Sequence, residues 1–224
     1  AAMLVLHHFW LCPFSRKVRI VLGEKDLRFE LAFEKYWERA ENFLVLNPAG
    51  QVPVLVEESG VPLADSVAIC EYLDERHPDR PMVGFDALAR AEIRRLVAWF
   101  DGKFYQEVTR NIVDEKVLKR FMRMGHPDSE AIRAGQQNLS YHLDYIGWLT
   151  ERRNWLAGDD FSLADAAAAA HLSCLDYLGD ISWDQHRPAK DWYARIKSRP
   201  SFRGLLSDHI SGLTPPKYYA DLDF

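Results

Sequence analysis

Apolar positions change their period part-way along the chain. In the first third they come in short runs: Met3 to His8 reads as a strand. Leu27, Phe29, Leu31 and Phe33 alternate with Arg28, Glu30 and Ala32 as a second strand. Val54 to Val56 and Val61 to Leu63 flank Glu57-Glu58-Ser59-Gly60, which predicts a hairpin. Helical spacing lies between these runs. Val18, Val21 and Leu22 stand among basic residues over Arg16 to Lys25, and Glu38 to Leu46 predicts another helix. Ser66 to Arg76 predicts a third, stopped by His77-Pro78 because the residue before a proline avoids the α region. The order β-α-β-α-β-β-α is that of a small α/β sheet domain.

Beyond Pro78-Asp79-Arg80-Pro81 the strand signals mostly stop. Ile93, Leu96, Val97, Phe100, Phe104 and Val108 place a long helix over Ala87 to Asn111, and Ile132, Leu139, Leu143, Ile146 and Leu149 another over Ser129 to Arg153. Ser162-Leu163-Ala164-Asp165 has the form of a capping box ahead of the alanines 166–170, whose small side chains suit the buried centre of a bundle. Asp191 to Lys197 predicts a last helix, ended by Ser198-Arg199-Pro200. The reading is an α/β domain at 1–78, a linker at 79–86, an all-α domain at 87–214 and a tail at 215–224. Ala1-Ala2 ahead of Met3 reads as a cloning remnant.

Composition narrows the function classes. At 224 residues, 48% hydrophobic and 27% charged, the chain is an ordinary globular protein with ample core. A net charge of -5 argues against nonspecific nucleic-acid binding. No apolar run approaches the ~20 residues that span a bilayer, and the start lacks the basic and apolar regions of a signal peptide. Cys12, Cys70 and Cys174 are odd in number and far apart, which points to a reducing compartment rather than a disulfide framework. No spacing of His, Cys, Asp or Glu suggests a metal site.

Five regions carry candidate chemistry. In Gln51-Val52-Pro53-Val54-Leu55 the Val-Pro bond can offer backbone groups to an extended ligand, and Ala64-Asp65-Ser66 opens a helix whose free N–H groups favour a carboxylate. Cys12 precedes a helix N-terminus, a position that lowers a thiol pKa, or it is a small apolar filler. Ser15 is a second hydroxyl there, or a helix cap. Trp37, within Glu34-Lys35-Tyr36-Trp37-Glu38-Arg39, is either an exposed contact residue or a packing residue, and Trp10, Tyr36 and Phe9 add aromatics near the expected cleft. Lys116, Lys119, Arg120 and Arg123 form a solvated helix face or a docking patch for an acidic segment. The tail from Pro215 to Phe224 is aromatic and acidic, so it packs back on the body, offers a linear contact motif, or does both.

Cys12-Pro13-Phe14-Ser15-Arg16-Lys17-Val18-Arg19, Gln51-Val52-Pro53-Val54-Leu55, Ala64-Asp65-Ser66 and Phe161-Ser162-Leu163-Ala164-Asp165 stand in the order and spacing of the glutathione S-transferase superfamily, which the chain resembles over nearly its whole length. The resemblance implies a thioredoxin-like N-terminal domain followed by an all-helical bundle, and a cis Val52-Pro53 bond. It implies a glutathione seat at Val52, Pro53, Asp65 and Ser66. Some members form a mixed disulfide through a cysteine matching Cys12, and others use a serine or tyrosine hydroxyl. No tyrosine stands in the first strand here.

Trp37-Glu38-Arg39, the run from Leu96 to Phe104 and the ending Tyr219-Ala220-Asp221-Leu222-Asp223-Phe224 resemble the alphaproteobacterial members that bind the tubulin homologue FtsZ. That likeness implies a cytoplasmic homodimer at the division site that modulates filament curvature and constriction without glutathione catalysis and with no cofactor. Trp37, Lys119, Arg120, Tyr218, Tyr219, Asp221, Asp223 and Phe224 are then the expected contacts. The alternative is a glutathione-dependent transferase or thiol transferase using Cys12 or Ser15.

Overall fold

A computed structural model describes residues 3–224; the reading of Ala1-Ala2 lies outside them. β1 (Leu4–His8), α1 (Pro13–Glu24), β2 (Phe29–Phe33), α2 (Glu41–Leu46), β3 (Val54–Val56), β4 (Pro62–Ala64) and α3 (Ser66–Arg76) build the N-terminal domain. Its sheet has the order β2-β1-β3-β4, with β1 parallel to β2 and antiparallel to β3. The central strand sets the register: Leu6 lies opposite Leu31 on one side and Leu55 on the other. The expected α/β domain and helical bundle are both present.

Three local differences have local causes. α1 begins at Pro13, not Arg16, because proline at the first helical position is pre-set for a helix and Cys12 supplies the cap. The second predicted helix is split. Arg39 takes a left-handed conformation (φ 51°), which ends a short 3-10 turn at Tyr36–Glu38 before α2 starts. β2 is an edge strand, so its alternation does not bury one apolar face: Leu31 is 37% and Phe33 40% exposed.

α4 (Ala87–Ala98) passes without a break through a π-type segment (Trp99–Leu118) into α5 (Lys119–Met122). The helix therefore outruns its predicted end at Asn111. Ile112, Val113 and Val117 extend the buried stripe, and the left-handed Arg123 (φ 56°) provides the stop. α6 (Ser129–Arg152), α7 (Leu163–Tyr177), α8 (Arg187–Lys197) and the short α9 (Arg203–Leu206) complete the bundle. α8 starts four residues before its prediction, with Pro188 in its first turn. α7 is buried along its whole length, and its alanines let α1 and the π segment pack directly on it. The capping box is formed: Ser162 Oγ accepts from Ala164 N–H at 3.2 Å, and Asp165 accepts from the Ser162 N–H at 3.0 Å. Among the described residues no helix is long and apolar enough to cross a membrane.

The two domains are joined by buried charge. α1 turns Arg16, Lys17 and Arg19 toward the bundle, not toward solvent. Arg16 donates to Trp10 O, Ser173 Oγ and the Tyr219 hydroxyl, and pairs with Asp208 at 3.1 Å. Arg19 grips both oxygens of Asp208. Lys17 pairs with Asp101, which also contacts His171 Nε2 at 3.1 Å, and His171 Nδ1 bonds Thr109.

His8 is fully buried at the end of β1, and neither ring nitrogen has a partner among the described residues. Burial, reinforced by Arg19, holds its pKa at about 3. The unfolded chain takes up this proton below about pH 6.5 while the folded chain resists it, so stability falls as pH drops through that window. His8→Phe should remove this sensitivity. Relative to wild type it is expected to gain about 2–3 kcal/mol between pH 8 and roughly pH 4.5, read from urea unfolding at each pH. Parallel pH profiles of the two proteins would refute it. The comparison is needed because burial raises Asp114, Asp165 and Asp176 to about 6, which acts with the opposite sign.

Candidate active-site cleft

The first cavity is built by a turn and a strand pair. Asn47 Nδ2 donates to Gln51 O at 2.9 Å, and Asn47 O accepts from the N–H of Gly50, whose φ of 66° closes the turn. The chain then passes through a cis Val52-Pro53 bond into β3. Val54 pairs with Ala64, which brings Val52 across from Asp65 and Ser66 at the start of α3. Asp65 caps α3 by accepting from the Ala68 N–H at 3.0 Å. It does so at φ 74°, a strained conformation for a residue with a Cβ. The resulting cavity has a volume of about 500 Å³, open between Val52, Pro53, Asp65 and Ser66 on one side and Phe14 and Asp101 on the other. That size suits a small-molecule site. The structure thus brings together the four residues expected to form a glutathione seat.

A second cavity of about 350 Å³ adjoins it, sharing Phe14, Gln51, Val52 and Asp101. Phe9, Leu11, Cys12, Pro13, Tyr36 and Leu118 line its apolar side, and Tyr105 and Asp114 its polar one. Cys12 caps α1, with its sulfur accepting from the Ser15 N–H at 3.4 Å. The helix-end argument predicted a stabilised thiolate. Burial of the sulfur outweighs the N–H bonds and pushes the thiol up instead. Ser15 departs from expectation too. It is neither cap nor cleft residue: it sits in the first turn of α1, fully buried, with an Oγ that finds no partner among the described residues. Starting the helix at Pro13 rotates Ser15 into the core and Phe14 into the cleft.

The aromatic group is divided. Phe9 and Tyr36 line the second cavity, whereas Trp10 packs on His8 and Phe33 away from it. Trp37 is half-buried, not exposed, because its ring lies edge-on to Phe9 at 5.6 Å and meets Phe121 of the bundle at 6.4 Å. In the basic run Lys116 is held by Asp180 at 2.8 Å and Lys119 by Glu115 at 2.7 Å, while Arg120 and Arg123 are exposed. The tail packs on the body. Tyr219 is buried, and Phe224 sits against Trp183 and Tyr193 with Lys197 over its ring at 3.9 Å. Tyr218 is half-buried, its carbonyl accepting from Lys197 Nζ at 2.6 Å, whereas Asp221, Leu222 and Asp223 are exposed.

Asp101, Tyr105 and Asp114 are the cleft residues that the pattern of the chain did not single out. Asp101 falls on the apolar stripe of the long helix, between Val97 and Phe104. A charge on such a stripe was the one available sign. Burial opposes its ionisation, but Lys17 and then His171 hold it below the usual carboxylate range.

Comparison with known proteins agrees with this geometry. The model of the glutathione S-transferase N-terminal domain matches residues 11–76, and that of the C-terminal domain residues 116–200. The chain is 49% identical over 222 residues, covering 98% of itself and 97% of the relative, to a protein of Caulobacter vibrioides named FtsZ-localized protein A. A solved glutathione S-transferase from Rhodospirillum rubrum superposes with a TM-score of 0.97 at 55% identity, over 99% of this chain and 100% of that one. The structure of FzlA from C. crescentus superposes with a TM-score of 0.96 at 48% identity, with the same coverage. Sheet domain and bundle both match, and the chain belongs to the glutathione S-transferases.

Proposed function

We propose that this chain is a glutathione S-transferase-fold adaptor that binds FtsZ filaments as a homodimer at the division site and modulates their curvature and constriction. The match to a protein named FtsZ-localized protein A carries the reading, because it spans 98% of the chain. The tail supports it physically. Anchored by Tyr219 and Phe224, it holds Asp221, Leu222 and Asp223 in solvent in a fixed conformation, so little ordering cost remains on docking. A symmetric dimer presents this motif twice, and weak contacts to a polymer gain from that repetition. In this reading Cys12 and Ser15 are structural residues, consistent with a raised thiol and a hydroxyl sealed in the core.

The test is co-sedimentation with FtsZ filaments. A triple variant, Asp221→Ala, Leu222→Ser and Asp223→Ala, should lose about tenfold or more in apparent affinity while its melting temperature and its sedimentation as a dimer are unchanged. Undiminished co-sedimentation would remove the tail from the interface.

The open cavity of about 500 Å³ at Val52, Pro53, Asp65 and Ser66 favours a second reading, a glutathione-dependent transferase or thiol transferase. Calorimetric titration with glutathione addresses it. Binding lost in Ser66→Ala, together with turnover lost in Cys12→Ala, would establish the enzyme; no heat at millimolar glutathione would dismiss it.

A further inference from the structure

Ser140 and Asp144 stand one turn apart on α6, so both side chains leave the same face of that helix. His186, the residue that leads into α8, meets both. Its Nδ1 lies 3.0 Å from Asp144 Oδ1, and its Nε2 lies 3.4 Å from Ser140 Oγ. A carboxylate only accepts, so in the neutral ring Nδ1 carries the proton and Nε2 turns its lone pair to the serine hydroxyl. The backbone of His186 is fixed on both sides. Its N–H donates to Trp183 O, and its carbonyl accepts from the Lys190 N–H, each at 2.9 Å. The His186 side chain is only 10% exposed, whereas Ser140 faces solvent. A hydroxyl, an imidazole and a carboxylate in line is the arrangement that activates a serine nucleophile. The 3.4 Å contact falls in the looser range that such pairs show before substrate arrives.

A cavity of about 310 Å³ opens at this point on the bundle, with Ser140 and His186 in its wall. Leu139 and Leu143 give it an apolar side, and Gln136, Ser182 and Gln185 line it with side-chain donors. Those donors can meet the negative charge that develops on a carbonyl oxygen under attack. Among the described residues no lysine or arginine lines it, so it offers no counterion to a charged acid. Its volume is at the small end for a ligand site. We propose that Ser140, His186 and Asp144 form a reaction centre that hydrolyses short-chain neutral esters through an acyl-Ser140 intermediate. Ser140 Oγ attacks the ester carbonyl carbon while its proton passes to His186 Nε2. The carbon–oxygen bond to the alcohol breaks, and the departing alcohol takes that proton. Water then attacks the acyl carbon, giving a proton to His186 Nε2, which returns it to Ser140 Oγ as the carboxylic acid leaves. This centre lies outside both cleft cavities and rests neither on the glutathione seat nor on filament binding.

The assay is hydrolysis of p-nitrophenyl acetate by the full chain at about pH 8. Ser140→Ala and His186→Gln are each expected to lose about a hundredfold in kcat/KM. Asp144 acts through His186 as a positioning residue and is 71% exposed, so its effect is smaller. Asp144→Asn should lower kcat about tenfold and leave KM unchanged within about twofold. Ser198→Ala, which removes an exposed hydroxyl at the end of α8, should keep the wild-type rate. A fluorophosphonate probe, which reacts with activated serines, should label Ser140 in the wild type, located by peptide mass spectrometry, and fail to label it in His186→Gln. Thermal melts followed by circular dichroism serve as the fold control for each variant. A folded Ser140→Ala within about threefold of the wild-type rate, or a fluorophosphonate that labels another residue or none, would overturn the proposal.

Discussion

Asp208→Ala is expected to destabilise the folded chain by about 3–5 kcal/mol. Asp208 is the shared counterion of two buried guanidiniums: Arg19 holds its oxygens at 2.6 and 3.0 Å, and Arg16 reaches it at 3.1 Å. Removing the carboxylate leaves two positive charges inside the protein. Arg16 keeps its bonds to Trp10, Ser173 and Tyr219, but Arg19 loses both of its bonds to Asp208. An uncompensated buried charge is penalised far more than the pair itself stabilises, which is why the loss exceeds that of a surface ion pair. Urea unfolding followed by circular dichroism measures it. The effect should change little with added salt, since a buried pair is poorly screened. A loss under about 1 kcal/mol would mean that Arg19 swings out to water and that the domains do not depend on this node.

Truncation after Pro216 is expected to lower the melting temperature by about 10 °C, the shift that a loss of roughly 3–5 kcal/mol gives in a chain of this size. The last eight residues include Tyr219, which donates to Leu205 O at 2.6 Å and accepts from Arg16 at 3.0 Å inside the core. They also include Phe224, packed against Trp183 and Tyr193 at 5.5 and 5.9 Å. Lys197 is fully buried and donates to the carbonyl of Tyr218, so truncation leaves an ammonium without its acceptor. A melting temperature unchanged within about 2 °C would show that the tail contributes no stability. The expected loss has a practical consequence. Failure of the truncated chain to bind filaments would reflect damage to the body as much as loss of a contact, whereas exchange of Asp221, Leu222 and Asp223 alters only exposed side chains.

Much of the fold was legible before the structure because its signals are local. The bounds of α3, the capping box of α7 and the hairpin between β3 and β4 follow from residues a few positions apart. That Val52, Pro53, Asp65 and Ser66 lie together was legible for the same reason: a turn, a strand pair and a helix start bring them to one cavity without distant help. Asp101, Tyr105 and Asp114 were not. They reach the cleft from a helix whose placement depends on how the bundle docks against the sheet domain.

What the amino-acid order by itself determined is the succession of elements and the nearness of Val52 to Ser66, set by short-range periodicity, capping and turn chemistry, and, through the resemblance of four motifs, the family. What only the tertiary structure decided is which charges are buried and which hydroxyls are reachable. Arg16, Lys17 and Arg19 have the pattern of a solvated helix face, yet their partners Asp208 and Asp101 lie 84 to 192 positions away and turn that face into the domain interface. Cys12 has the helix-end position of an activated thiol, yet enclosure by both domains raises it. A helix end acts over one turn, whereas burial sums over every element packed around an atom, and that sum exists only once the chain has folded.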